Sequence, residues 1–431
     1  MSSTRKRTAD LAAARADASA EQATAPGIYW LTEGFYPPLV GGQEMIAAYL
    51  AAGLAQRGFG VEVITRQTMP SSAARERIGQ VTVRRINPPG VLKGQGWRAA
   101  WPLLRFLAHL SWILLWQARR YRIIIISGVK IMPLIAVPLA RLLGKRCVLR
   151  AESYFELHEM ISAESLNTMG SGRAGLPFRL LEWLRTRMLR RAAALVAISA
   201  QIRAELLTRG VAAERIHDIP NGVSLARFKP ATMGERQALR ERLGLPVERT
   251  VLLFSGRLSR AKGIPLLIDA WPALLARHPE LYLVVVGSGN RSFDDCERQV
   301  KERVRDGELA SSVRFFPETE SVIDFLQAAD LWVFPTEYEG FSLALAEALG
   351  CGLPVVATAV GAAPQLIQDG VSGFLCPPQD QSALSDAVER ALGARERWPQ
   401  IGAAARAAVR AYDLEGIAER YAALCRRLIE P

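Results

Sequence analysis

Short apolar runs alternate with longer segments of helical periodicity along the 431-residue chain. The runs are rich in β-branched residues and are apolar at consecutive positions, which predicts strands that are buried on both faces. Five runs lie in the first half of the chain and five in the second: GIYWLTEGFYPP, VEVITR, RIIIISG, RCVLRAES and ALVAISA, then TVLLFSGRL, LYLVVVGSGN, VRFFPE, DLWVFPT and PVVATAV.

Two such series of strands separated by helices predict an α/β fold with two Rossmann-like domains. The chain is also too long for one ordinary core. We expect an N-terminal domain over residues 27–222, a C-terminal domain over 223–408 and a C-terminal helix over 409–431. Residues 1–26 lack the apolar core of a secretory signal, so they predict a disordered tail, with a transit peptide as the alternative.

The cysteines and histidines argue against a disulfide framework and a structural zinc site. Five cysteines are scattered without paired spacing, which indicates free thiols in a reducing compartment and favours a cytoplasmic location. The four histidines are scattered as well, so no His/Cys cluster suggests a structural zinc.

The charge of the chain is unevenly distributed. The net charge is +12, yet residues 1–220 carry 30 basic and 15 acidic residues and the remainder carries 24 and 27. Residues 77–151 contain 14 basic residues and no acidic one. Such a field attracts anionic partners to the N-terminal half, whether nucleic acid, anionic lipid or a phosphorylated substrate.

A tryptophan-rich segment, residues 97–120, lies inside this acid-free stretch. It is the nearest approach to a transmembrane helix but is interrupted by polar residues and proline. On a helix, four tryptophans fall within one sector of about 100°: Trp97, Trp101, Trp112 and Trp116. Two interpretations remain open, a buried core helix and a helix at a membrane interface.

The segment EYEGFSLALAE, residues 337–347, follows the predicted strand DLWVFPT. Glu339 lies in the loop and Glu347 lies eight residues later on the helix, about 80° beyond two full turns, so both can face one cleft. In open parallel sheets, ligands bind outside the carboxyl ends of the strands. Carboxylates there are suited to sugar and ribose hydroxyls.

The same loop can also hold phosphate. Gly340 allows a ligand to approach the backbone, and the first N–H groups of the helix suit phosphate oxygens; they belong to Phe341, Ser342 and Leu343. The loop GRLSRAKG, after another strand of the same domain, adds Arg257 and Lys262 as cations. Each residue alone has a surface interpretation, but together they predict a sugar-nucleotide site.

These motifs resemble those of the family 4 retaining glycosyltransferases of the GT-B fold. GRLSRAKG followed by EGFSLALAE matches the Glu, seven residues, Glu hallmark of that family. Three further segments resemble it in the right order, so the resemblance covers roughly residues 28–425: YPPLVGGQEMIAAYLAAGLAQRGFGVEVIT, VAISA…IHDIPNGVSLARFKP and VGAAPQLIQDGVSGFLCPP. The implied fold is α/β, with two Rossmann-like domains facing a central cleft and the C-terminal helix packing back on the N-terminal domain.

The resemblance implies a role for each site residue. Arg257 and Lys262 would bind the donor diphosphate, Glu347 the nucleotide ribose and Glu339 the donor sugar. The other implied donor-binding residues are Gly41 and Gly42 in the N-terminal domain and Glu318 in a loop near the base. Gly287, which follows a strand, is a further predicted donor-binding residue. No DxD triplet occurs, which fits a metal-independent enzyme without cofactor whose co-substrate is a UDP- or GDP-sugar.

The chain also departs from the family pattern. Many members carry a histidine at the end of the strand corresponding to CVLRAES, where this chain has Glu152 and, farther on, His158. We predict an acceptor-side position for both residues. Pro317 and Gln365 replace residues common in the family, which bears on donor identity more than on the reaction.

The predicted function is a cytoplasmic retaining glycosyltransferase that acts on a lipid-linked saccharide or glycolipid, with its basic N-terminal domain on an anionic membrane surface. The alternatives are an enzyme with a soluble acceptor and a catalytically silent sugar-nucleotide binding subunit of a membrane complex. A nucleic-acid partner would explain the charge but not the cleft motifs, so none is predicted.

Overall fold

The computed structural model describes residues 27–36, 42–67, 72–86, 97–152, 176–289 and 294–430, and only the backbone of 97–103 and 176–179. The chain divides into two compact units. The N-terminal unit comprises Met1–Pro220 with Glu415–Pro431, and the C-terminal unit comprises Asn221–Leu414.

The N-terminal unit is built on an eight-stranded sheet. Its strands are β1 Gly27–Thr32, β2 Gly60–Arg66, β3 Arg75–Ile78, β4 Val81–Ile86, β5 Ile123–Ser127, β6 Arg146–Ala151, β7 Ala194–Ala197 and β8 Ile216–Asp218. Its first helices are α1 Gly42–Gln56, α2 Trp97–Trp116, α3 Pro133–Leu142, α4 Leu176–Arg191 and α5 Ala200–Thr208. The strand order is β3-β4-β2-β1-β5-β6-β7-β8, and every neighbouring pair is parallel except β3 with β4.

The five apolar runs of this half form β1, β2, β5, β6 and β7. The sequence pattern missed β3, β4 and β8, which are short or carry charges. In β4, Arg84 forms an ion pair of 2.6 Å with Glu62 of β2, and Arg85 forms one of 2.6 Å with Glu76 of β3. Cross-strand ion pairs therefore replace the apolar pattern that would have identified these strands.

The C-terminal unit has a six-stranded sheet whose neighbouring strands are all parallel. Its strands are β9 Thr250–Ser255, β10 Leu281–Val286, β11 Val313–Phe316, β12 Leu331–Phe334, β13 Val355–Thr358 and β14 Phe374–Cys376. Its helices are α6 Met233–Leu243, α7 Ile264–Arg277, α8 Glu297–Asp306, α9 Val322–Ala328, α10 Leu343–Gly350, α11 Ala363–Leu366, α12 Gln381–Gly393 and α13 Trp398–Ala408.

The strand order of this unit, β11-β10-β9-β12-β13-β14, places β9 beside β12. The chain moves outward from β9 in one direction and from β12 in the other, so this neighbouring pair is the topological switch point of the sheet. Crevices at such points are the usual ligand sites of open α/β sheets. A buried hydrogen bond of 2.9 Å from Trp332 Nε1 to Ser255 Oγ links the two strands.

The last helix, α14 Leu414–Ile429, packs on the N-terminal unit as the fold class predicted. The ring of Tyr421 lies 6.2 Å from that of Trp30 in β1. Arg57, just after α1, donates to Glu415 at 3.0 Å and to Glu419 at 2.8 Å. Aromatic packing and ion pairs together fasten α14 to this sheet.

The structure also bears on the state of the cysteines and on the absence of a predicted transmembrane helix. All five cysteines are free and buried. Among the helices that the structure describes, none combines the length and hydropathy needed to cross a bilayer.

Candidate active site

Two loops that leave neighbouring strands are tied together at the switch point. The backbone N–H of Glu337, after β12, donates to the carbonyl of Ala261, after β9, at 2.8 Å, and Thr336 Oγ1 donates to the same carbonyl at 3.0 Å. Gly263 adopts φ +73°, and a Cβ there would lie 1.8 Å from the carbonyl oxygen of Pro335. This close approach requires glycine and holds the two loops in register.

The loop contact brings two predicted catalytic side chains together. Lys262 Nζ donates to Glu339 Oε1 in a close ion pair, and each side chain is only 17% exposed. The ammonium group also lies 5.5 Å above the ring of Phe334 at the end of β12. The surface interpretation that Lys262 has by itself is therefore wrong, because the neighbouring loop covers most of its side chain.

Arg257, the second predicted cation, is exposed two residues after β9. Its guanidinium makes no ion pair or hydrogen bond with any residue that the structure describes, so it is available to an anion. The neighbouring loop approaches very closely, since a Cβ at Gly287 would lie 1.9 Å from the carbonyl oxygen of Gly256. This contact accounts for Gly287 by packing, and its donor-binding role stays a prediction.

Helix α10 begins beside Glu339 with an unusual backbone. Ser342, its N-cap, has φ 64° and ψ 92°, a region that non-glycine residues seldom occupy, and its Oγ accepts from the N–H of Leu345 at 3.3 Å. The preceding residues Gly340 and Phe341 are buried. The N–H groups of Leu343 and Ala344 have no acceptor within the helix and stay available to an anion.

A glycine after β13 supports the backbone of Glu339. Gly361 has φ +57°, and a Cβ there would lie 2.7 Å from the carbonyl oxygen of Glu339. Gly361 lies four residues before Gln365, one of the positions at which this chain departs from the family pattern. The positive φ and the close contact together favour glycine at this position.

Glu347 lies half-buried on α10. Burial raises the pKa of its carboxyl from 4.5 to about 7, and the positive charge of Arg227 opposes that shift in the pKa. Arg227 in turn donates to the carbonyl of Glu320 at 3.0 Å. Sequence reasoning missed Arg227, although its segment NGVSLARF was already recognised as similar to the family.

The remaining predicted donor residues are dispersed or undescribed. Glu318 is exposed after β11, the edge strand, with β10 between that strand and β9. Gly42 is the first residue of α1 and is exposed. Gly41 and His158 lie outside the described residues, so the structure does not place them.

In the N-terminal unit, Glu152 lies at the carboxyl end of β6 and is almost completely buried. It forms a close ion pair with Arg150, whose side chain is equally buried. Desolvation raises the pKa of the Glu152 carboxyl, while Arg150 and a hydrogen bond from Ser127 act in the opposite direction on that pKa. Glu152 lines a small cavity of about 60 Å³, together with Thr32, Glu33, Gln43, Glu44, Ser127 and Lys130 among others.

A larger cavity of about 360 Å³ adjoins the joined loops of the C-terminal unit. Its lining includes Arg260, Asp269, Arg303 and Glu337, but neither Lys262, Glu339 nor Glu347. Arg303 is already paired with Asp269 at 2.7 Å. This cavity therefore does not coincide with the predicted donor residues. Within the described ranges, no cluster of three or more His, Cys, Asp or Glu side chains could hold a metal ion.

Two family models match the chain. The model described as glycosyl transferase 4-like domain matches residues 41–222, and the one described as glycosyl transferases group 1 matches 235–408. Sucrose-phosphate synthase from Thermosynechococcus elongatus has the same fold, with a TM-score of 0.76 over 94% of this chain and 99% of that one at 26% identity. The fold is therefore that of the GT-B glycosyltransferases. The chain belongs to family 4 of these enzymes.

Curated relatives are similar over part of their length. A D-inositol 3-phosphate glycosyltransferase from Xylanimonas cellulosilytica is 37% identical over 226 residues, 51% of this chain and 53% of the relative. The match therefore spans about half of that relative. The Anabaena protein HepE, solved with UDP and glucose, has a TM-score of 0.72 at 21% identity, covering 93% of this chain and 99% of HepE.

Proposed function

We propose that this protein transfers a sugar from a nucleotide-diphosphate sugar to an acceptor hydroxyl, with retention of the anomeric configuration. One observation carries the proposal. At the switch point of the C-terminal unit, the Lys262–Glu339 pair, the exposed Arg257 and the first turn of α10 lie on neighbouring strand-exit loops. Cations and free N–H groups suit a diphosphate, and the carboxylate suits the hydroxyls of the sugar.

Each side chain then has a distinct task. Arg257 and Lys262 bind the diphosphate, as do the amides of Leu343 and Ala344. Glu339 accepts hydrogen bonds from the donor sugar. Glu347 lies farther along α10 and accepts hydrogen bonds from the ribose, for which its carboxyl must be ionised.

The reaction breaks the bond between the anomeric carbon and the phosphate oxygen. The acceptor oxygen attacks from the same face, and its proton passes to the departing phosphate, so the acceptor gains the sugar and the nucleotide diphosphate leaves. Negative charge grows on the leaving oxygen, where Arg257, Lys262 and the helix N-terminus stabilise it. Protein cations thus perform the task that a metal ion performs in other transferases, and we propose that no metal is needed.

The acceptor that we favour is a lipid-linked saccharide or a glycolipid, with UDP- or GDP-sugar as the donor. The basic excess of the N-terminal half supports this choice because it attracts an anionic carrier and its membrane. The free, buried cysteines agree with a cytoplasmic location, at the inner surface of the membrane.

A soluble phosphorylated acceptor is the second candidate. The names of several relatives at 34–37% identity support it, since they are D-inositol 3-phosphate glycosyltransferases. The same basic excess would attract a phosphorylated polyol. The Lys262–Glu339 arrangement is common to both candidates and speaks against a silent binding subunit.

A donor and acceptor panel tests the proposal. The purified protein is incubated with UDP- and GDP-sugars, beginning with UDP-glucose, and nucleotide release is measured with and without EDTA. We expect turnover of one donor that survives EDTA, and an α-linked product from an α-linked donor by NMR. Inversion of the anomer, or activity lost with EDTA and restored by magnesium or manganese, contradicts the mechanism. Glycolipid extracts and inositol phosphates as acceptors separate the two candidates.

A further inference from the structure

The outward side of α2 exposes large apolar side chains among a few polar ones. Phe106, Leu110, Ile113 and Leu114 form its buried stripe, which accounts for the packing of the helix on the sheet. On the opposite side, where polar residues are normal, four large side chains are exposed: Leu104 by 46%, Trp112 by 58%, Leu115 by 46% and Trp116 by 76%. The interpretation of this helix as ordinary core is therefore wrong for Trp112 and Trp116, whereas the side chains of Trp97 and Trp101 lie outside the description.

The side chains of Trp112 and Trp116 stack on each other although both are exposed to solvent. Their rings stack with centroids 5.2 Å apart and planes inclined by 11°. One helical turn separates them, so they form a continuous aromatic surface along the helix. Such large amphipathic side chains are enriched at interfaces with one apolar and one aqueous side.

Large apolar side chains are also exposed on two more helices. α3 packs against both α2 and α4. Because crossovers between parallel strands are right-handed, these three helices cover the same face of the sheet, opposite α1. Leu142 on α3 is 77% exposed, and on α4 Leu180 is 54% and Trp183 is 55% exposed. Sequence periodicity pointed only to α2, so the structure enlarges the surface.

Basic side chains accompany this apolar surface. Eight exposed arginines lie on the three helices or between α2 and β5: Arg105, Arg119, Arg120, Arg122, Arg141, Arg187, Arg190 and Arg191. The guanidinium of Arg187 lies 5.3 Å above the ring of Trp183. The acidic residue of α4 in this region, Glu182, is engaged by Arg185 at 2.9 Å and by Arg209 at 3.6 Å.

We propose that this surface, called here the Trp–Arg face, is a docking site for an anionic lipid bilayer. It consists of the exposed side chains of α2, α3 and α4 together with Arg119, Arg120 and Arg122. Tryptophan and leucine would insert among the headgroups and upper acyl chains, and the arginines would bind lipid phosphates. The excess of one charge favours this occupant over a second copy of the chain, because two identical basic faces repel each other.

This inference deepens the proposed function, since it rests on an acceptor held in a membrane, but its test is independent of catalysis. The full chain is mixed with phosphatidylcholine vesicles that contain or lack phosphatidylglycerol, and the bound fraction is measured by sedimentation. We expect binding to the anionic vesicles at low salt, weakened about tenfold or more at ~0.5 M salt. Neutral vesicles should bind far less.

Matched variants assign the binding to this face. Replacing Trp112, Trp116 and Trp183 together by serine should lower vesicle affinity at least about tenfold, as should Arg105→Glu with Arg119→Glu and Arg120→Glu. The controls lie in the C-terminal unit: Met233→Ser removes an apolar side chain that is 89% exposed, and Arg298→Glu reverses a side chain that is 92% exposed. Both controls should bind like the wild type.

The depth to which the tryptophans enter the bilayer can be measured on the wild-type protein, so the proposal can be tested even if a triple variant does not fold. Brominated lipids should quench the tryptophan fluorescence of the wild-type protein when the bromine lies near the headgroups, and less when it lies at the bilayer centre.

Wild-type protein that remains in the supernatant overturns the proposal, as does equal binding to neutral vesicles. If the wild type self-associates and the Trp variant does not, the Trp–Arg face binds a second copy of the chain, and the proposal is wrong. Donor turnover without vesicles should be the same in these variants, and its absence in the wild type would refute the proposed function alone.

Discussion

Lys262 and Glu339 are separated by 77 residues in the chain, yet their side chains form a close ion pair at the switch point of the C-terminal sheet. Both side chains are mostly covered, since each is only 17% exposed. The two predicted catalytic groups therefore hold each other in place before any donor binds. Pre-positioned groups of this kind need little rearrangement in the transition state.

The first prediction concerns this pair. Lys262→Met should lower kcat by roughly 10²–10³-fold, since one preorganised cation is lost beside the leaving phosphate. Glu339→Gln should also lower kcat, and the double variant should lose less than the sum of the single effects, because the pair acts as one unit. Steady-state kinetics of the four proteins test this, with Lys229→Ala as a surface control. Additive losses would show that the two groups act independently.

The second prediction separates catalysis from stability at Arg257. Arg257→Ala should reduce kcat/KM for the donor by a similar factor. Its free energy of unfolding should change by less than about 0.5 kcal/mol, because the side chain is exposed and unpaired among the described residues. Chemical denaturation and donor kinetics on the same preparation test both parts. Arg298→Ala is the matched control, and wild-type turnover in Arg257→Ala would remove this residue from the site.

The third prediction concerns pH. The pKa of Glu347 is raised from 4.5 to about 7 in the folded protein, so its contribution to stability is fully present below pH 4.5 and is lost as the pH rises through 7. Between pH 5 and 8 the wild type should lose about 1–3 kcal/mol more than Glu347→Gln. Urea unfolding at the two pH values measures this difference.

Donor binding should show the opposite trend at the same residue. Only the ionised carboxylate accepts hydrogen bonds from both ribose hydroxyls, so kcat/KM for the donor should rise between pH 6 and 8. Glu347→Gln should raise the donor KM and abolish that rise, whereas the surface variant Glu302→Gln should retain it. A pH profile unchanged in Glu347→Gln would exclude the ribose role.

The fourth prediction compares two glycines with similar backbone. Gly361 has φ +57° and Gly370 has φ +72°, but a Cβ at Gly361 would lie 2.7 Å from the Glu339 carbonyl oxygen, whereas at Gly370 it would meet nothing within 4 Å. Alanine at either position incurs the strain of a left-handed backbone, about 1–2 kcal/mol. Only Gly361→Ala should also displace Glu339 and lower kcat. Equal activity of the two variants would contradict the supporting role of Gly361.

Sequence reasoning reached much of the fold because the relevant signals are local. Runs such as RIIIISG and DLWVFPT are apolar on consecutive residues, and only a strand covered on both faces explains that pattern. Two such series predicted the two α/β units. Strands β3 and β4 were not predicted, because Arg84 and Arg85 break the apolar pattern. Both arginines form ion pairs with other strands, and a local sequence pattern does not report such contacts.

The chain by itself also determined which residue types surround the donor site, since Arg257, Lys262, Glu339 and Glu347 follow strands at recognisable spacings. Only the tertiary structure decided that Lys262 pairs with Glu339, that Gly361 supports Glu339 and that burial raises the pKa of Glu347. The tertiary structure also decided which side of α2 is exposed to solvent. Sequence periodicity places Trp112 and Trp116 on one sector of the helix, but it does not show whether another element covers that sector. Long-range contacts and solvent exposure depend on the neighbours that folding brings together, and those neighbours are distant in the sequence.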